Sequence, residues 1–331
     1  MPLVSVVMPS YNYDEFVSES IESVLGQDFD DLELIIVDDA STDASRQIIQ
    51  KYAAEDTRIR VILHETNCGF AKTMNDGIET AKGEFVAAID SDDVWAKDKL
   101  TKQLAVTASN ENLIVWSEGE VIDRKGHPVG KSFSEFNGTV SRKKSGDISQ
   151  ELLRRNYIFG STLLFKRTNL GEIRFDERLM LLNDWKFVLD LARKYEFYYI
   201  AEPLVQYRVH GNNTLAGLES RGSEPEAAKR QRNFHLDAIV FGQEALRLCD
   251  PASGTTKADI YAYTGYSYEC LGDNKTALLC FLRAFRYNAL SMSNLRGAPR
   301  FLKLVGLTLL NSGTRERNSL KKGTELHQKR R

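Results

Sequence analysis

Three carboxylates fall within four positions of the stretch FVAAIDSDDVW (85–95): Asp90, Asp92 and Asp93. An apolar run leads straight into them, as a buried strand leads into a loop. Like charges this close repel, and burying one unpaired costs several kcal/mol. Either water solvates the three acids at a loop, or a cation belongs among them. Two further apolar runs end in comparable chemistry. LELIIVDD closes on Asp38 and Asp39, and VSVVMPS is followed by Tyr11 and Asn12, with Pro9 at its end.

The elements that must carry these residues follow from periodicity. Over the first hundred positions, short β-branched runs alternate with helical patterns. Val17, Ile21, Val24 and Leu25 recur at i, i+4, i+7 and i+8; Ile48, Ile49 and Tyr52 follow STD; Met74 and Ile78 precede AKG. Strand–helix alternation with continuous apolar strands predicts a largely parallel sheet covered on both faces. Ligands bind such sheets beyond the carboxyl ends of the strands, which is where the unusual residues collect. A helix is expected to be entered near Val94 to Lys97, offering Asp92 or Asp93 the alternative post of helix cap. LIVWSEGEVIDRKGHPVG (113–130) reads as a hairpin with a Gly-containing turn, and GSTLLFKR (160–167) as a strand. NDWKFVLDLARKYE (183–196) reads as an amphipathic helix with Trp185, Val188, Leu189 and Ala192 on its buried stripe.

A Gly-, Ser- and charge-rich break, AGLESRGSEPEAA, places the domain boundary near residue 216, separating 1–215 from a helical region at 216–331. Within that region, Tyr261, Gly265, Tyr268, Ala277, Phe281 and Ala284 fall at tetratricopeptide offsets. They predict a helical hairpin at about 258–291, and a single copy argues against a superhelical array. The formal net charge of −2 gives no basic field for nucleic acid, but residues 296–331 carry ten Lys/Arg against two Glu, +8, leaving −10 elsewhere. In that tail Phe301, Leu302, Val305, Leu309 and Leu310 lie among Arg296, Arg300 and Lys303. The pattern suits a helix on an anionic membrane surface, or a final packed helix with a solvated tail. FLKLVGLTLL (301–310) is too short to span a bilayer. Strand-like sequence from Leu3 leaves no room for a signal peptide, and Cys68, Cys249, Cys270 and Cys280 form no C-x-x-C pair. The expectation is a cytoplasmic protein, soluble or peripheral on the cytoplasmic face of a membrane.

VVMPSYN, LIIVDDASTD, NCGFAKTMNDGIETAKGEFVAAIDSDD and NDWKFVLDLARKYEFYYIAEPLVQYRVHGNNT, in this order, resemble the inverting glycosyltransferases of family 2 over residues 3–214. The resemblance implies the GT-A nucleotide-sugar-binding fold, an α/β architecture with a mostly parallel central sheet flanked by helices, here with a C-terminal helical extension. It implies a nucleotide-sugar donor, most commonly a UDP-sugar, a glycan or lipid-linked acceptor, and a role in cell-surface polysaccharide or glycoconjugate synthesis. A divalent cation, Mn²⁺ or Mg²⁺, would clamp the diphosphate, and hard carboxylate oxygens suit either ion. By the same resemblance Asp92 binds the metal, Asp90 serves the ribose and the metal shell, and Ser91 lies in the donor site between them. Asp39 would read the base, with a cap on the helix opened by ASTD as its rival role. Pro9, Tyr11 and Asn12 form the other wall, Tyr11 packing on the nucleotide. Asn67, Gly69 and Lys72 come from the block facing the phosphates, and Lys72 replaces a frequent Arg, losing the bidentate fork. His210, in YRVHGNN, approaches the diphosphate and metal, with Arg208 adding charge or supporting its loop.

Asp184 is the implied catalytic base. The family often has Glu-Asp here, whereas this chain has Asn183-Asp184. Its rival role is a helix N-cap, where the helix terminus would lower its pKa and weaken it as a base. Trp95, Gly160, Ser161 and Trp185 are candidates for the acceptor side, although Trp185 also fits the buried stripe. A nucleotide-sugar-binding protein without transfer activity, using its helical C-terminus as an interaction module, is the competing reading; the retained acids argue against it. A nucleotidyltransferase would carry a Gly-rich basic phosphate loop, and PSYNYDEF has none. A processive synthase would carry Q-x-x-R-W, which Gln231-Arg232-Asn233 does not match.

Overall fold

The structure, a computed structural model, describes residues 2–142, 144–211, 213, 225–251 and 253–288. The chain forms two compact units, Met1–Arg230 and Gln231–Arg331, the division falling inside a helix rather than at the polar break near 216. In the first unit β1 (Val4–Ser10), α1 (Val17–Leu25), β2 (Leu32–Asp38), α2 (Ser45–Glu55), β3 (Ile59–Leu63), α3 (Phe70–Thr80) and β4 (Phe85–Ala88) alternate as the periodicity predicts. There follow β5 (Val94–Trp95), α4 (Lys99–Thr107), β6 (Ile114–Ile122), β7 (Pro128–Ser132), α5 (Phe133–Phe136), α6 (Ser149–Leu152), β8 (Leu164–Lys166), α7 (Asn183–Ala192) and β9 (Phe197–Arg208).

The strands form one curled sheet in the order β3-β2-β1-β4-β8-β6-β9-β5, with β7 paired to β6. Every residue of β1 and β2 is buried, as expected of parallel strands covered on both faces. Gly77 lets α3 lie close on this half: a Cβ there would stand 2.4 Å from Val7 Cγ1. Parallel pairing holds from β3 to β4 but does not persist. β4–β8, β8–β6, β6–β7 and β9–β5 are antiparallel, and only β6–β9 resumes the parallel sense. The sheet thus stays mostly parallel by paired length, with short antiparallel pairings added in its second half. Its second half is joined by a hairpin and long connections, which leave strand direction free, instead of βαβ crossovers.

The helix expected to be entered near 94–97 begins two residues later. Val94 and Trp95 pair with Gln206 and Val205, and α4 begins only at Lys99 with Asp98 before it. The predicted hairpin and the α7 helix both form. In the second unit, α8 (Pro225–Leu248) runs into α9 (Gly254–Cys270) and α10 (Asn274–Tyr287). The last two pack through Ala262, Ala277, Phe281 and Ala284, flanked by Tyr261, Tyr266, Tyr268 and Leu278. Gly265 permits the close approach, since a Cβ there would lie 3.0 Å from Cys280 Cβ. Among the described residues no helix is long and apolar enough to cross a membrane. The basic tail at 296–331 lies outside the described residues.

Candidate active site

The loops after β1 and β2 are laced together. Asn12 adopts φ 57°, a left-handed conformation that Asn tolerates better than most residues. Its Oδ1 accepts from Thr42 N (2.8 Å), and its own N–H donates to Ser41 Oγ (3.0 Å). Tyr13 N donates to Ser45 Oγ (2.9 Å), and Asp14 N to Asp43 Oδ2 (3.1 Å). Pro9 is buried in β1 opposite Val37. Of the expected Pro9–Tyr11–Asn12 wall, Pro9 and Asn12 are thus framework, and Tyr11, 43% exposed, is the residue that presents a ring to solvent.

Asp39 organises the neighbouring loop. Its Oδ1 accepts from Cys68 N (2.7 Å) and lies 2.8 Å from His64 Nδ1, while Oδ2 accepts from Gly69 N (2.8 Å). A carboxylate oxygen has two lone pairs, so one acceptor position remains on Oδ2. Asn67 Nδ2 donates to the Asp39 carbonyl (3.4 Å), and Gly69, at φ 87°, turns the chain into α3. His64 Nε2 lies 3.0 Å from Asp76 Oδ2, and Lys72 Nζ donates to Asp76 Oδ1 (2.5 Å). Lys72 is therefore tied one turn along its own helix. Asp39 is not a cap, because α2 starts after Ala44. Asp38 is fully buried and pairs with Arg46 (2.9 Å).

The acid triplet after β4 separates into three roles. Asp93 is buried with both oxygens engaged: Ser161 Oγ donates to Oδ2 (2.7 Å) and Arg208 N to Oδ1 (3.2 Å). Ser161 Oγ also accepts from Asp90 N (2.9 Å), so one hydroxyl ties both ends of the turn. Asp92 Oδ2 lies 2.9 Å from His210 Nε2 and accepts from Asn213 Nδ2 (3.4 Å). Asp90 is half-buried, and its carboxylate makes no hydrogen bond among the described residues. Oxygens of the three acids can all lie within 4.8 Å of one another. Burial, then the Asp92 charge, pushes the Asp90 and Asp93 carboxyls well above the ordinary range. Such crowding fits a hard divalent cation, which would relieve the repulsion. The buried Ser91 hydroxyl, without a partner among the described residues, sits in the same turn.

The C-terminal end of β9 holds this turn from behind. Arg208 is buried; its Nε donates to the Asp92 carbonyl (2.9 Å) and its Nη2 to Glu19 Oε2 (2.6 Å). The guanidinium supports the loop and does not point a free charge at a ligand. Asn213 Oδ1 accepts from His210 N (2.5 Å) and its Nδ2 donates to the Arg208 carbonyl (2.9 Å), setting the His210 ring toward Asp92. Tyr13 packs edge-on to His210 at 5.6 Å, and burial together with Asp92, Asp90 and Asp93 raises its phenol above the ordinary range.

Asp184 lies in the first turn of α7, with Leu182 as the cap residue. Its Oδ1 accepts from Trp185 N (2.6 Å) and its Oδ2 from Asn156 Nδ2 (3.4 Å). Burial pushes its pKa up to about 6, outweighing the backbone N–H bonds that lower it. The expected depression at the helix start is thus reversed, and the carboxylate is a stronger base than an ordinary Asp.

The acceptor-side candidates fare differently. Trp95 is buried, donates its Nε1–H to the Ser161 carbonyl (3.0 Å), and lies under Lys99 Nζ at 3.8 Å. Trp185 is buried and donates Nε1–H to the Leu152 carbonyl (2.6 Å). Both are core residues, and Ser161, 1% exposed, is a strut. Gly160 alone borders open space. Sequence reasoning passed over Tyr13, His64, Asn156 and Asn213. Asn213 had a signal, since it follows His210 in H-G-N-N, but such a run reads as an ordinary loop.

A sequence model described as Glycosyl transferase family 2 matches residues 5–168. The putative teichuronic acid biosynthesis glycosyltransferase TuaG of Bacillus subtilis is 35% identical over 214 residues, 64% of this chain and 81% of that protein. The amylovoran biosynthesis glycosyltransferase AmsB of Erwinia amylovora is 29% identical over 300 residues, 85% of this chain and 89% of its own length. Among solved structures, S. aureus TarS 1-349 in complex with UDP-GlcNAc superposes with a TM-score of 0.56 at 19% identity, covering 90% of this chain and 92% of that one. The mannosyltransferase PcManGT of Pyrobaculum calidifontis, in complex with GDP-Man and Mn²⁺, gives 0.54 at 19% identity, covering 93% and 81%. These structural likenesses establish the shared fold.

Proposed function

The chain belongs to glycosyl transferase family 2, and on that premise we propose that it transfers a sugar, with inversion, from a UDP-sugar to a hydroxyl of a glycan or lipid-linked acceptor in cell-surface polysaccharide or glycoconjugate synthesis. One observation carries the reading. Asn156, which bonds Asp184, and Ser161, which bonds Asp93 and Asp90 N, lie on one short segment, so the base, its carboxyl raised to about 6, and the acid cluster are neighbours. Asp184 accepts the acceptor hydroxyl's proton as that oxygen attacks the anomeric carbon. The bond from that carbon to the β-phosphate oxygen breaks, and the nucleoside diphosphate leaves. A carboxylate poised near neutrality suits this step, because general bases work best with a pKa near the operating pH. A single base facing the anomeric carbon favours one displacement, hence inversion.

Asp92 and Asp90 are the residues that would hold Mn²⁺ or Mg²⁺, with His210 against Asp92. Bound there, the ion would supply charge neutralisation for the diphosphate and its leaving oxygen. Arg208, Asn213 and Ser161 keep those acids in register. Tyr11 and the remaining lone pair of Asp39 Oδ2 serve the nucleoside. TuaG and AmsB are named for polysaccharide synthesis, and TarS and PcManGT were solved with nucleotide-sugars, PcManGT also with Mn²⁺; these support the donor class and the metal. The basic segment 296–331 is proposed to hold the enzyme on the cytoplasmic face of an anionic membrane.

The test is a panel of UDP-, GDP- and dTDP-sugars scored for nucleotide release with Mn²⁺ or chelator, with product anomeric configuration read by NMR. Release from a UDP-sugar, lost with chelator and reduced about a thousandfold or more in Asp184→Asn, is the expected result. Full transfer by Asp184→Asn would remove the base assignment, and metal-independent turnover would remove the role of Asp92.

A further inference from the structure

Beside Asp184 and the acid cluster stands a wall of four aromatic rings. Phe133 and Phe159 stack at 4.9 Å and 23°. Tyr207 sets its ring edge-on to both, at 5.3 Å and 4.7 Å, and Phe136 lies 6.4 Å from Tyr207. Phe159 is flanked in sequence by Asn156, which bonds Asp184, and Ser161, which bonds Asp93. Tyr207 immediately precedes Arg208, whose N–H bonds Asp93. The wall therefore reaches from the base to the acid turn.

Two of its rings are unspent. Phe136 is 46% exposed. The Tyr207 ring is half-buried, yet its hydroxyl makes no hydrogen bond among the described residues. A tyrosine this far from bulk water ordinarily finds a partner for its O–H. Four carboxylates act on this phenol: Asp93, Asp92, Asp90 and Asp184. With the cation engaged by the diphosphate, these groups offer an acceptor's hydroxyls hydrogen-bond acceptors and no fixed positive charge, which suits a neutral polyol. Sheet order bears on which substrate the wall faces. Asp39 and Asn67 follow β2 and β3, on one side of β4, whereas β6 and β9 lie on the other. The wall belongs to the β6–β9 half of the sheet, across β4 from the Asp39 and Asn67 loops.

An exposed aromatic face, a free phenol and a basic carboxylate together fit one kind of molecule. A pyranose ring presents an apolar C–H face edged by hydroxyls, and ligand sites combine apolar faces with a few placed polar groups in this way. Resting on the transfer reading, we propose that Phe136 and Tyr207 form the acceptor subsite and take a neutral pyranose, its C–H face on Phe136 and one hydroxyl on the Tyr207 phenol. The acceptor's terminal unit is then a neutral sugar, and a bare lipid phosphate or glycerol phosphate is disfavoured.

The experiment uses the full chain with Mn²⁺ and whichever donor turns over. Neutral methyl glucoside, galactoside and N-acetylglucosaminide are compared with glycerol phosphate and a polyprenyl phosphate. At least one neutral pyranoside should accelerate nucleotide release, and Phe136→Ala and Tyr207→Phe should each raise its KM about tenfold while the donor KM holds. Saturation-transfer NMR of the methyl pyranosides gives a second readout, a signal from the bound ring that Phe136→Ala abolishes. Acceleration by the anionic acceptors alone, or an unchanged acceptor KM in both variants, overturns the subsite. A pyranoside signal lost in Phe136→Ala without any donor turnover upholds the subsite while the transfer reading fails.

Discussion

Asp184 is a carboxylate whose environment works against its own charge. Burial raises its pKa to about 6, above the ordinary 3.8 of an aspartate. The ionised form should therefore limit activity from the acid side: kcat/KM is expected to fall tenfold per pH unit below about 6. A limb near 4 in the pH profile would mean that another group is the base. The same shift has a sign for stability. A folded-state pKa above the unfolded value favours the fold when the group is protonated, so stability is lost as pH rises through the window from about 4 to 6. Roughly two units at about 1.4 kcal/mol each give a cost of at most about 3 kcal/mol at pH 7.5, lessened by partial exposure. Asp184→Asn keeps an oxygen for Trp185 N and removes the charge. We expect it to abolish transfer while raising Tm at pH 7.5 by a few degrees, with the gain vanishing below about pH 4. A lower Tm at pH 7.5 would mean that the charge is structurally required.

At the level of loops and strands, backbone strain sits beside Asp39. Ala40 holds φ 63° between Asp39 and Ser41, a left-handed conformation that costs an L-residue with a Cβ roughly 1–2 kcal/mol. Glycine would relieve that strain and lose part of the gain through the freer unfolded chain. Ala40→Gly is expected to stabilise the protein by about 0.5–1 kcal/mol in urea denaturation, with an unchanged denaturant slope. A loss of stability would show that neighbouring contacts, not glycine-like freedom, hold the conformation. Strands β1 to β4 and the chemistry at their ends were legible because an apolar run ending in acids is a local pattern. The roles inside the acid turn were not. Asp93 is held by Ser161 and Arg208, 68 and 115 residues away, and no local period reports such bonds. Val94–Trp95 looked like a helix start because its partner is β9, more than a hundred residues on. Trp95 and Trp185 passed as sugar platforms because aromatic chemistry is visible in sequence, whereas burial is decided by packing. Tyr207 and Phe136 were overlooked for the same reason in reverse.

Over the whole molecule, charge is divided along the chain: −10 over residues 1–295 against +8 over residues 296–331. An anionic membrane attracts the basic segment and repels the acidic remainder, so the division favours tethering by the tail over general adsorption. Each Lys or Arg near an anionic surface contributes about 1 kcal/mol, and the attraction decays within a Debye length, about 8 Å at physiological salt. Lys321→Gln, Lys322→Gln, Lys329→Gln and Arg330→Gln together would bring the segment from +8 to +4. Full-length protein should sediment with vesicles containing about a third phosphatidylglycerol and stay in solution with pure phosphatidylcholine. The quadruple variant should bind the anionic vesicles at least tenfold more weakly, and 0.5 M NaCl should release the wild type. None of the four positions falls within the family-matched residues 5–168, so transfer to a soluble acceptor should keep its rate. Undiminished vesicle binding by the variant would place the membrane contact elsewhere. Binding that survives 0.5 M salt would point to apolar insertion by the stretch 301–310 instead of charge, reversing the order of the two contributions.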